Sequence, residues 1–559
     1  MMPWAQNYDP AGLALVSSAV ATVPVLALLG GLGVFNLRAH TAALVGLAAA
    51  LAIAIGVFGM PTGQAMAAAG LGAANGLLPI GWIVLNTMFL YRLTEEHGAF
   101  ATMRDSISRL TRDARLQLLL IAFCFGAFFE GAAGFGTPVA VTGAMLIGLG
   151  FSRLQASGLS LIANTAPVAF GALGTPLLTL AAVTGLPVHE LSMVVGRLMA
   201  PFCLIVPVWL VVAFGGWRRA LEVWPALVVT GASYAGAQLL ISNLHGPWLA
   251  AVVPAIFALG SLVLLLRWWQ PATVRDVRSF DRPRAGPAPD PVVPSGAMTA
   301  ASEPSPAAVR TAWQPWILLT AVVFVWGIPT VKAALDALFS LKLPVRGLNQ
   351  LVLRMPPVVP APQPEAAVYA FAPLSATGTA ILISALFAGA ILRIGPKQLA
   401  GCYWRSLRSI APSLLTITAM LALGYVTRYS GVDAAMGLGF AATGGFYPFF
   451  GTMLGWLGVA VTGSDTASNV LFGSLQTIAA NRLGYPPLLM AAANSAGGVM
   501  GKMVDAQSIV VASTATRWTG AEGKILRYVL AHSIVLGATV GALVLAAAYV
   551  PALAVLVRP

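Results

Sequence analysis

FFEGAAGFGTP (Phe128 to Pro138) and VTGSDTASNVLFG (Val461 to Gly473) each set one acidic residue in a glycine-, serine- and threonine-rich break inside long apolar sequence. Each is followed by Ala-Asn-(Thr/Ser)-Ala, in LIANTAPVAFGALGTP (Leu161 to Pro176) and AAANSAGGVMGKM (Ala491 to Met503). A glycine lies five residues beyond the second alanine in both, at Gly171 and Gly501. Glycine and proline inside apolar runs mark broken helices, and a pattern that occurs twice in this order predicts two related halves.

Working outward, 58% of the 559 residues are hydrophobic and 9% are charged, against about 25% charged residues in soluble domains. Apolar stretches long enough to cross a bilayer recur along the chain, among them Gly12 to Phe35, Thr41 to Met60, Trp248 to Leu266 and Val529 to Val550. The alternation of a β-barrel is absent. The N-terminus has no basic region before its first apolar stretch, which reads as a retained span. The net charge of +13 collects as arginines in short loops beside spans. That is a topology signal, so no nucleic-acid partner is expected. Cys124, Cys203 and Cys402 lie far apart and suggest neither disulfides nor a metal cluster.

The expected fold is an all-α polytopic integral membrane protein of roughly 12 to 14 transmembrane helices, with re-entrant or broken helices. Its halves are residues 1–270 and 315–559, joined by a Pro-rich cytoplasmic linker at 271–314 that is too polar to bury. Basic loops at Arg104 to Arg112, Arg218 to Arg219, Arg267 to Arg310, Arg393 to Arg408 and Arg517 to Arg527 put both termini outside. The loop from Lys342 to Arg354 is the exception, falling outside despite its basic residues. The expected location is a bacterial cytoplasmic (inner) membrane.

An ionisable group within a span is costly, so its default reading is functional. Glu130 ends the apolar run Leu118 to Phe129, where burial disfavours the ionised carboxyl and suits a proton carrier; a cap on the next half-helix is the alternative. Asp465 reads equally as a helix cap or a coupling site. Lys502 could bind a carboxylate, or pair with Asp505 or snorkel. Asn164, Thr165, Asn494 and Ser495 suit a ligand with one carboxylate and one hydroxyl, and also interhelical hydrogen bonds. Gly134, Gly136, Gly463 and Ser464 mark the breaks, as do Gly497, Gly498 and Gly501; close helix packing is the other reading of such glycines. Arg197 and Arg428 rank as interfacial topology residues.

NYDPAG (Asn7 to Gly12), FCFGAFFEGAAGFGTPVA (Phe123 to Ala140), NTAPVAFGALGTP (Asn164 to Pro176) and RMPPVV (Arg354 to Val359) all resemble lactate permease sequence. So do LSATGTAIL (Leu374 to Leu382), GWLGVAVTGSDTASN (Gly455 to Asn469) and GGVMGKM (Gly497 to Met503). The resemblance covers nearly the whole chain, in order. It implies a secondary transporter that imports L-lactate, often also D-lactate and glycolate, by proton symport. No cofactor is expected beyond the coupling proton, and the partners are a small monocarboxylate and the lipid bilayer. Glu130, Asn164, Asp465, Asn494 and Lys502 fall within or beside the matching strings. Where the family pattern runs Ser-Pro-Gln-Ser after the Lys-Met pair, this chain has Asp505-Ala506-Gln507-Ser508, so Asp505 inherits no role.

The rival readings are a transporter for another small carboxylate, a channel, and an intramembrane enzyme. A dicarboxylate would ask for a second strong cation, and the matched core offers Lys502 alone. For an enzyme the sequence lacks the parts: His189-Glu190 has no second histidine for zinc, and Gly-x-Ser-x-Gly is missing.

Overall fold

Apolar runs in lipid must satisfy their backbone polar groups internally, so they fold as helices. The computed structural model describes residues 3–277 and 305–557 except 34, 36, 133, 135, 136, 519 and 520. Among these residues ten helices are long and apolar enough to cross a membrane. The count is eleven if the pair Arg153–Ala163 and Val168–Thr184, bent by 62°, is one span. Shorter apolar helices stand beside them, including Val252–Trp268. That one starts four residues into the apolar run, after a turn at 248–251. Of the expected linker, residues 271–277 and the start of the helix Pro306–Gly327 are ordered. The remainder, 278–304, lies outside the described residues.

The elements that build the site are α1 (Ala114–Ala132), α2 (Thr137–Gly148), α3 (Arg153–Ala163), α4 (Gly171–Thr184) and α5 (Pro396–Ser430). From the second half come α6 (Tyr447–Thr462), α7 (Asp465–Leu483), α8 (Pro487–Gly501), α9 (Ala506–Ala515) and α10 (Glu522–Tyr549). α1 is buried along its whole length, unlike a lipid-facing span. Its phenylalanines account for this: Phe125 and Phe129 meet edge to face at 4.7 Å, and Phe128 packs on Trp316 at 5.1 Å. The aromatic cluster ties α1 to the helix Pro306–Gly327.

The basic end of the bundle is held by one ion network. Arg115, fully buried, donates to Asp113 (2.7 Å), Glu222 (2.6 Å) and the carbonyls of Arg219 and Thr273. Arg275 donates to Glu222 through two bonds of 2.8 Å. Hydrogen bonds from Arg275 and then Arg115 hold the Glu222 carboxyl down to about 2. Its contribution is therefore full above the ordinary carboxylate range and is lost only as pH falls through about 2. Arg115→Met leaves Asp113 buried without its cation and is expected to cost about 3 kcal/mol. A thermal unfolding scan of the detergent-solubilised protein checks this, with Arg115→Lys falling between.

Chain direction follows from what the ends touch. α1 starts in the Arg115 network, and Phe151, after α2, packs on Phe214 beside the basic Trp217–Leu221 turn. The α1–α2 hairpin therefore enters and leaves at the basic end. α10 starts at the same end, where Glu522 accepts from Ser513 and Thr516 meets Ser157. Its 28 residues carry Tyr549 about 42 Å away. There Tyr549 and Tyr485 both donate to the Gly445 carbonyl, just before α6 and just after α7. The α6–α7 hairpin thus enters from the opposite end, and the two hairpins are inverted with respect to each other.

Short strands cover that opposite end, an addition to the all-helical expectation. β1 (Trp4–Ala5) runs parallel to β2 (Val352–Arg354), which pairs antiparallel with β3 (Gln363–Pro364). The basic loop that broke the charge rule lies here, and Arg354 stands 3.7 Å from Glu365. Arg428 is tied to the same carboxylate at 2.8 Å and donates to the carbonyls of Ala182 and Val183 at the end of α4. It clamps the last turn of α5 to the strands and to the end of α4, clear of the cavity.

Candidate functional site

Four interruptions meet between the halves. The first hairpin turns after Ala132, with Gly134 at φ +62°, and the second turns at Gly463, φ +74°. Both φ values favour a residue without Cβ. α3 stops at Asn164, and the chain re-enters helix through Ala172 and Leu173 at φ 43° and 54°, unusual for residues with side chains. α8 stops at Lys502, and α9 restarts after Asp505. Gly136 lies outside the described residues.

These interruptions surround a cavity of about 140 Å³. Glu130 and Gly134 from the first tip, Gly463, Ser464 and Asp465 from the second, and Lys502 from the break after α8 all line it. Gly171, Ala172, Thr175 and Pro176 of α4 form another wall, and Ser413, Thr416 and Met420 of α5 face them. Leu28 and Ala39 complete the apolar side. Among the described lining residues Lys502 is the one cation, opposite two carboxyls. Glu130, Asp465 and Lys502 are 5%, 4% and 7% exposed, so any ligand meets them with little competing water.

Asn164, Thr165, Asn494 and Ser495 stand one layer back and are fully or nearly fully buried. Asn164 donates to Glu130 Oε2 at 3.1 Å, and Ser495 Oγ donates to Asp465 Oδ2 at 2.5 Å. Each acid is thus held by the Ala-Asn-(Thr/Ser)-Ala motif of its own half. Asn494 instead joins a chain of amides, donating to Asn469 Oδ1 (2.9 Å) and accepting from Gln476 Nε2 (3.2 Å). Thr165 bonds its own helix, donating to the Ile162 carbonyl at 2.8 Å. Asn164, Asn494 and Ser495 thus bond across helices, and Thr165 within its own.

Asp465 is not the helix cap. Ser464 caps α7, accepting from the Ala467 amide at 3.3 Å, while Asp465 is the first helical residue. Its Oδ1 accepts no hydrogen bond among the described residues. Lys502 donates to the Gly463 carbonyl at 2.6 Å and lies 3.4 Å from Asp505, so it bridges the second tip and the second break. Gly497 and Gly501 are contact points within α8 and not breaks. A Cβ on either would run into a backbone carbonyl of α6, of Thr452 or Trp456. Arg197 stays clear of the cavity, bonded to Asn243 at 2.8 Å.

Sequence reasoning missed Thr175, Ser413, Thr416 and Gln507 among the lining residues. Ser413 and Thr416, about one turn apart on an apolar helix, carried a signal that could have been used.

The family model described as L-lactate permease matches residues 17–551. Glycolate permease GlcA of Escherichia coli (strain K12) is 42% identical over 555 residues, covering 98% of this chain and 99% of that protein. The L-lactate permease of the same organism is 42% identical over 98% of each chain, and that of Bacillus subtilis (strain 168) 41% over 96% of each. The YdaH transporter of Alcanivorax borkumensis, a crystal structure, aligns with a TM-score of 0.41 at 14% identity over 85% of this chain and 86% of that one. That likeness is too loose to bear on the site. With a full-length family match and relatives of this identity across their whole lengths, the chain belongs to the L-lactate permease family.

Proposed function

We propose that this transporter imports L-lactate, and with it D-lactate and glycolate, together with protons across a bacterial cytoplasmic membrane. The observation that carries the reading is the cavity itself, where one lysine from the second break faces Glu130 and Asp465 from the two hairpin tips. A lysine ammonium has three donors; one serves the Gly463 carbonyl, and Asp505 stands 3.4 Å away as a counter-charge without a hydrogen bond among the described residues, so donors remain for a ligand. One carboxylate satisfies them. The hydroxyl of a 2-hydroxy acid then falls among small polar groups such as Ser464 and Thr466.

Charge supplies the coupling. A bound monocarboxylate adds a negative charge to a site with two acids and a lysine already paired to a third, and uncompensated charge in a buried site is expensive. Uptake of a proton by one of the cavity carboxyls offsets that cost, and release on the far side resets the site. The inverted hairpins put one acid beside each tip, Glu130 before the first turn and Asp465 after the second, which suits a site served alternately from each end.

Lys502→Met tests the substrate role. It is expected to weaken lactate binding by roughly a hundredfold, since a charge-assisted bond to the carboxylate is lost in a desolvated pocket. Lactate-dependent protection against thermal unfolding measures this without requiring transport. Unchanged protection removes Lys502 from the site.

A further inference from the structure

We infer that the coupling proton and the substrate leave the site by different routes. Lactate uses the cavity, whereas the proton passes between Glu130 and the basic end of the bundle along a buried file of Ser160, Ser157 and Thr516, with water held beside Ser160. The inference rests on Glu130 as the acid that carries the coupling proton.

Ser157, Ser160 and Asn164 are spaced three and four apart, so they share one face of α3 and its end, and cover about 10 Å from the basic end towards Glu130. All three are fully or nearly fully buried. At the inner end Asn164 donates to Glu130 Oε2, while its Oδ1 has no hydrogen bond among the described residues, and Ser160 Oγ has none either. A hydroxyl in an apolar helix ordinarily turns to the carbonyl four residues back, as Ser384 and Ser406 do. Ser160 does not. Unpaired polar atoms this deep are costly, and two of them one turn apart are close enough for one water to bridge. Gly143 of α2 supplies the room: a Cβ there would stand 3.8 Å from Ser160 Oγ and 3.4 Å from the Thr516 methyl. The other end is already connected. Thr516 donates its own hydrogen to the Ala512 carbonyl at 2.8 Å, so Ser157 donates to Thr516 Oγ1, also at 2.8 Å. One turn earlier Ser513 donates to Glu522 at 2.7 Å, at the half-buried start of α10.

The transfer balances at every step. Glu130 gives its proton to the water beside Ser160 and is left as the carboxylate. That water gives one of its own protons to the next oxygen, and each hydroxyl accepts one proton as it hands on another, so none stays charged. The proton enters bulk water beside Glu522. Substrate meets Glu130 from the other side, because Gly171, which packs on Oε1, lines the cavity, whereas Oε2 is turned to Asn164, which does not. A bound carboxylate therefore does not block the proton, and the two can leave in either order.

The test uses the full chain in proteoliposomes with two readouts: lactate-driven proton movement, followed by a pH-sensitive dye in the lumen, and exchange of labelled lactate between the two sides. Ser160→Ala removes the hydroxyl, and Gly143→Ala fills the space with a methyl at ordinary contact distance. Both are expected to slow proton movement and concentrative uptake by roughly tenfold, while exchange, in which Glu130 can keep its proton, is retained. A serine with a purely structural role predicts otherwise. Ser160→Ala then removes an unpaired buried hydroxyl, with equal or better stability and unchanged proton movement. Parental proton movement in either variant overturns the inference, as does an equal fall in exchange and proton movement. If one variant is lost from the membrane the other decides, and loss of both makes these contacts structural and overturns the inference. Failure of the underlying reading is distinguishable, because Glu130→Gln then still concentrates lactate.

Discussion

Glu130→Gln is expected to lower concentrative lactate uptake by roughly a hundredfold, the scale on which a proton-transferring group acts, while lactate exchange across the membrane continues. The substitution fits the site. Asn164 donates to Glu130 Oε2 at 3.1 Å, and its own Oδ1 accepts no hydrogen bond among the described residues. A glutamine can accept the one bond and supply the other, so the packing against Gly171 is kept. What it cannot do is release a proton. Exchange needs only the loaded carrier to move in both directions, whereas accumulation requires the empty carrier to return after discharging its proton. Asp465→Asn, which would be harmless if Asp465 were a helix cap, is expected to impair transport, because Ser464 is the cap and Asp465 faces the cavity. Parallel uptake and exchange assays on both variants check this. If Glu130→Gln still concentrates lactate and Asp465→Asn does not, the coupling proton sits on Asp465.

Gly497→Ala is expected to remove most of the folded protein from the membrane. α6 and α8 approach so closely that Cβ atoms at Gly455, Gly497 and Gly501 would each enter backbone of the facing helix. Backbone cannot give way as a side-chain tip does, and separating the helices also pulls the second tip away from Lys502. Overpacking of this kind costs typically about 1–3 kcal/mol, and more where backbone must shift. Gly260→Ala is the control, since a Cβ there meets nothing within 4 Å. It is expected to be neutral or to stabilise by up to about 1 kcal/mol through helix propensity. Membrane abundance and the unfolding temperature in detergent separate the two.

The two acids in their glycine-rich turns were legible in the sequence because charge within an apolar run is conspicuous, and the doubled Ala-Asn motif exposed the halves. The family resemblance also held across the chain. What the sequence could not show is which partner each polar group finds. Asn494 looked like a ligand group but bonds Asn469 and Gln476. Arg428 pairs with Glu365, 63 residues earlier in the chain, a partner that spacing does not reveal. Asp433, buried at the start of the helix Val432–Phe440, was not among the acids the sequence singled out. Inversion was hidden for the same reason: one sequence records the order of the breaks, and only contacts such as those of Tyr549 and Phe151 show from which end each hairpin enters.

Uptake of labelled L-lactate into proteoliposomes with an imposed proton or sodium gradient tests the central claim most directly. An acid-outside gradient is expected to drive accumulation above the external concentration, with no requirement for sodium and with loss of accumulation in Glu130→Gln. Accumulation driven by sodium alone, or equilibration without accumulation under either gradient, would contradict proton-coupled import.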